Sequence, residues 1–163
     1  MKTKSVYVSI FVLVTSTILA QNSDLELIAQ KVNEIKSMPY YPEYSGDSIY
    51  WDLVKEGLDI VPHLIAKLDD STSTQIDVEF RGVTYTIADI SNCIIWDIIR
   101  DLPVFELTGS NKDLLENCGG CYYWNYVNAN QNNRKKYKAD ISSWFNKNKE
   151  NLVWFPDEEE FKG

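Results

Sequence analysis

The sequence predicts an all-α (mainly α) fold, a small helical bundle with a short β-hairpin insertion. Three observations predict it. Apolar residues recur at helical spacing along most of the chain, most clearly Ile87, Ile90, Ile94, Ile98 and Leu102. Capping patterns stand ahead of such runs, with Thr86-Ile87-Ala88-Asp89 the sharpest. Against these, one stretch, Gln75–Tyr85, alternates apolar and polar with the period of a strand and carries the turn signal Arg81-Gly82.

Met1–Ala20 has the form of a signal peptide. Lys2 and Lys4 give the positive start, Val6–Leu19 the apolar core, and Ala20 a small residue for cleavage. Residues 21–156 then make a single α-helical domain and 157–163 an acidic tail. Ser23-Asp24-Leu25-Glu26 is a capping box for an amphipathic helix with Leu25, Ile28, Val32 and Ile35 inward. Pro39-Tyr40-Tyr41-Pro42-Glu43-Tyr44 is an aromatic loop, biased towards extended backbone by its prolines. Asp47-Ser48 caps a short helix over Ile49–Glu56, which Gly57 closes.

The central stretch is Gly57–Pro103. Asp59 is the expected N-cap of a helix over Ile60–Leu68, with Pro62 in the first turn, where its missing N–H has no partner to lose. The run Asp69–Thr74 ends that helix in a polar turn. A broad apolar helix over Ile87–Asp101 follows the hairpin, and Pro103 stops it. Val104–Leu107 reads as an apolar linker, and Ser110–Asp113 as a further capping box whose helix ends at Gly119-Gly120. Cys121–Ala129 is aromatic-rich. Arg134–Lys149 is the last strong helix, with Tyr137, Ile141, Trp144 and Phe145 inward and Arg134, Lys135, Lys136 and Lys138 on its basic face. Leu152–Phe155 tucks back onto the domain.

The composition bounds the partners. The whole chain carries a formal charge of −8, and cleavage after Ala20 leaves 14 basic against 24 acidic residues, near −10. Nucleic acid, whose backbone demands Lys and Arg, is excluded as an expected partner, and so is an anionic membrane surface. No membrane insertion is expected after cleavage. The acidic balance permits a basic protein partner, while a solvated acidic surface without a partner is the simpler reading of the charge alone. Nothing in the sequence fixes an oligomeric state.

Cys118-Gly119-Gly120-Cys121 is the sharpest chemical motif. A redox couple would want it after a strand in a βαβ pattern, a context this chain lacks. In an exported protein a structural disulfide is the simpler expectation, either Cys118–Cys121 or one of these with Cys93. Cys93 itself lies in the most apolar helix, where a buried free thiol is the simplest reading. Zinc would need His63 and Cys93 beside that pair, but only Cys118 and Cys121 have ligand spacing, so no metal and no cofactor is expected. His63 is the sole histidine and no Gly-x-Ser-x-Gly occurs, which gives no nucleophile triad. Asp97, set among isoleucines, is expected to pair with Arg100 or Arg134 rather than to move protons. No catalytic residue is assigned. Tyr40, Tyr41, Tyr44, Tyr122, Tyr123 and Trp124 are the candidates for a binding surface, because aromatics give rigid contact area with a polar tip, and packing of Tyr40, Tyr41 and Tyr44 over the helix ends is the simpler alternative.

The run from Gly57 to Asp70 resembles the opening of a HEAT-type repeat, with Pro62, Leu64 and Leu68 in place. Tyr85–Ile99 and Arg134–Trp154 resemble segments of uncharacterised secreted proteins of Bacteroidota-type bacteria. The resemblance implies a HEAT-like helix pair inside the helical domain and implies no activity. Only one such unit is present, without the stacked repeats of an array. Together these readings give the expectation of a secreted or periplasmic, non-enzymatic protein-binding module, in its specific form an inhibitor or immunity-type protein. The alternatives are a thiol oxidoreductase or acidic-residue hydrolase, and a structural envelope protein.

Overall fold

A computed structural model describes residues 23–39, 45–78, 82–109, 121–155 and 160–162. The expected signal peptide, Tyr40, Tyr41, Tyr44, the capping box at Ser110–Asp113 and Cys118 lie outside the described residues. Within them the protein is the mainly α small bundle with a short β-hairpin that the periodicity predicts.

Helix α1 covers residues 23–30 and tightens into a 3₁₀ turn at Lys31–Glu34. Ser23 is already helical rather than the cap expected of it. Helix α2, Ser48–Lys55, opens at Asp47, whose carboxylate accepts from the Ile49 N–H at 3.0 Å, and closes at Gly57 in left-handed conformation. The same Asp47 accepts from the Lys36 N–H at 3.0 Å, and its own N–H donates to the Ser37 carbonyl at 3.2 Å. One residue therefore ties the end of the first helical segment to the start of the second.

Helix α3 is shorter than the apolar spacing predicts, spanning Val61–Ile65. Asp59 is not its cap. The chain enters from a 3₁₀ turn at Gly57–Asp59, and Ile60 at the N-cap position is already in right-handed helical conformation. Beyond Ile65, tight turns replace the α-helix, with Lys67 donating to the Leu64 carbonyl and Leu68 to that of Ile65. Leu68 is still buried through these turns, which is why the apolar pattern runs past the helix.

Strands β1 (Ser73–Val78) and β2 (Val83–Thr86) pair antiparallel, Asp77 opposite Thr84 and Val78 opposite Val83, with an irregular register towards Ser73. Strand β2 runs directly into α4, Ile87–Ile98, so Thr86 ends the strand and caps the helix. The capping box is complete in both directions, as the sequence predicts. The helix ends before the expected Asp101 because Ile99 turns extended (φ −122°, ψ 92°), although Ile99 and Leu102 both remain in the core.

The stretch after Pro103 is not a linker but a short helix, α5 (Val104–Thr108), closed by Gly109 at positive φ. Helices α6 (Cys121–Ala129) and α7 (Gln131–Asn148) are joined by Asn130 alone, whose side chain accepts from the Asn132 N–H at 2.9 Å. Asn133 reaches back to the Tyr126 carbonyl at 2.8 Å and so satisfies the end of α6. The chain finishes in a second antiparallel pair, β3 (Val153–Phe155) with β4 (Glu160–Lys162). Part of the expected acidic tail is thus a strand.

The core is one cluster with α4 at its centre. Ile90, Ile94, Ile95, Ile98 and Ile99 are buried against Tyr50 and Leu53 of α2, Leu64 of α3, and Tyr137 and Ile141 of α7. Burial of an isoleucine contributes about 1.5–3 kcal/mol.

Candidate functional site

The polar groups of this protein with the strongest chemistry sit on α4, one turn apart. The helix is apolar on most sides, so each polar residue in it must find a partner or carry the cost of burial.

Asp89 is fully buried, and four donors converge on its carboxylate. Oδ2 accepts from the Thr86 N–H at 2.9 Å and the Thr86 hydroxyl at 2.6 Å. Oδ1 accepts from the Tyr123 hydroxyl at 3.1 Å and from Arg134 NH1 at 2.8 Å. An ionised carboxylate offers about four lone-pair positions, so this one is filled. Arg134 is 5 % exposed and extends its other nitrogen to Asn128 Oδ1 at 3.2 Å. Burial alone would lower the Arg134 pKa, but the hydrogen bond to Asp89 and its charge outweigh that, and the guanidinium is held above its ordinary value. Burial first, and the Asp89 charge next, push the Tyr123 hydroxyl well up. Near neutral pH Arg134 is therefore charged and the Tyr123 hydroxyl keeps its proton.

A second rung lies one turn on. The Tyr137 hydroxyl donates to Asn92 Oδ1 at 2.8 Å, both residues buried. The two rungs, Asp89–Arg134 and Asn92–Tyr137, each span 45 residues of sequence, so α4 and α7 advance in the same direction across their contact. Tyr123 and Tyr137 stack tilted at 5.3 Å, which brings α6 into the same contact.

Further along α4, Asp97 accepts from the Tyr50 hydroxyl at 2.5 Å and meets Arg100 at 3.5 Å. Of the two expected partners it takes Arg100, while Arg134 leaves the basic face predicted for it and enters the core. Between Asp89 and Asp97 stands Cys93, a free, half-buried thiol. Burial, then the charges of Asp97 and Asp89, push its pKa far above the ordinary thiol value. Cys93 is free, so the expected disulfide alternative that uses it is not present. Cys121 and Tyr122 belong to α6 by backbone, with side chains outside the described part, as is all of Cys118.

The remaining candidates separate. Tyr123 is 4 % exposed and belongs to the core, not to a surface. Trp124 is half-buried, edge-on to Tyr85 of β2 at 5.4 Å and to Tyr123 at 5.8 Å, so it ties the hairpin to α6. His63 lies half-buried on α3. Among the described residues no three His, Cys, Asp or Glu side chains converge as a metal site.

Two surface features complete the inventory. An open groove of about 470 Å³ runs between α3 and α7 over Pro62, Ile65, Ala66, Lys135, Lys138, Ala139 and Ser142. Lys138 crosses beside it, donating to the Ala66 carbonyl at 2.6 Å and Asp69 at 2.7 Å. Elsewhere Leu27, Val83, Val153 and Trp154 are exposed apolar residues, at 66 %, 47 %, 60 % and 45 %. Of the segment expected to tuck back, Leu152 is buried, but Val153 and Trp154 on β3 are exposed.

Comparison with family models, with curated proteins and with solved structures found no match to this chain.

Proposed function

We propose that this chain is an exported, non-enzymatic protein-binding module that acts through its surface. The single observation that supports this most is the saturated carboxylate of Asp89. The groups best suited to acid–base or electrostatic chemistry, Asp89, Arg134 and Tyr123, face each other in the core, and no lone pair of that carboxylate is left for a substrate. Among the described residues no buried side-chain nitrogen or oxygen lacks a partner. Active sites tend to hold perturbed groups facing a cleft. Here the perturbed groups close helix contacts instead.

The exposed Val153 and Trp154 supply apolar area of the kind that anchors a partner. The acidic balance favours a basic protein as that partner, and an inhibitor or immunity-type role against a basic toxin or hydrolase is the specific form of the proposal. The HEAT-like reading of the α3–α4 pair belongs to the same proposal, since these helices pack on each other with the hairpin between them.

The test is capture from cell-envelope extract by the immobilised mature chain. The expected result is a saturable, basic protein partner whose retention falls as salt is raised through the range where the Debye length shortens from about 10 Å to about 3 Å. Absence of any saturable partner, together with turnover of a thiol or glycoside substrate, would replace the proposal with the enzymatic alternative.

A further inference from the structure

We draw no further inference here: the strongest candidate, the open groove between α3 and α7 floored by Ile65, Ala66 and Ala139, carries nothing, because Lys138, one of the two lysines on its rim, is already committed to Asp69 and the Ala66 carbonyl and nothing in the structure shows what covers it.

Discussion

Gly46 holds φ at +90°, and a Cβ added there would lie 2.7 Å from the Pro39 nitrogen and 2.9 Å from the Met38 carbonyl carbon, both backbone atoms. Neither the conformation nor the space tolerates a side chain. Gly46→Ala is expected to cost on the order of 1–3 kcal/mol in urea unfolding; parent-like stability would show that the approach of these two backbones is unimportant. Cys93 makes the opposite kind of statement, about reactivity. Its thiol is pushed up by burial and by Asp97 and Asp89, and the thiolate is the reactive form. Alkylation at neutral pH, mapped by peptide mass spectrometry, is therefore expected to leave Cys93 unmodified in the native protein and to label it fully in urea. Rapid native labelling would reopen a redox role. The free thiol at Cys93 follows from its place in the most apolar helix, whereas the close approach at Gly46 exceeds what the sequence alone carries. A glycine after Tyr44-Ser45 signals a turn, but its neighbour across the turn does not follow from its spacing.

At the scale of elements, Asp47 does the most with one side chain. It caps α2 and holds the Lys36 N–H, and these backbone donors, Ile49 first, keep its carboxyl below the ordinary 3.8. A pKa lowered in the folded state means that the unfolded chain takes up the proton more readily. The stabilisation is then full above about pH 4 and is lost as pH falls through the lower folded value. Asp47→Ala is expected to cost about 1 kcal/mol at pH 7, with the gap to the parent narrowing as the pH falls below 4. A gap independent of pH would contradict the charged cap. This cap and the Thr86–Asp89 box were legible because a capping pattern is local, closed within three residues. The other half of Asp89 was not legible, because Tyr123 and Arg134 lie 34 and 45 residues downstream and no local spacing brings them there. The same limit explains Arg134, whose neighbours Lys135 and Lys136 make it look like one more residue of a solvated basic face. Element ends failed where tight turns kept an apolar residue buried without a helix, at Leu68 and Leu102, and elements as short as α5, β3 and β4 give too few periods to read.

The whole molecule is arranged around α4. Tyr50 reaches it from α2 through Asp97, Tyr123 from α6 through Asp89, and Arg134 and Tyr137 from α7 through Asp89 and Asn92. Only one buried carboxylate–guanidinium pair joins these helices among the described residues. Desolvation can offset the attraction within such a pair, so the pair itself contributes little, whereas removing one partner strands a buried charge. In the pairs Lys55–Asp52, Arg100–Asp97 and Lys136–Asp140 the cation at least is open to solvent, and solvent screening leaves such pairs little weight. The account rests on the Asp89–Arg134 contact being internal scaffolding, and a double-mutant cycle in denaturant unfolding tests that most directly. Asp89→Asn and Arg134→Met are each expected to cost about 3–5 kcal/mol, and the double variant to cost clearly less than their sum, since it leaves no unpaired charge in the core. Single variants as stable as the parent would contradict the account, and would free Asp89 and Arg134 for a role in chemistry.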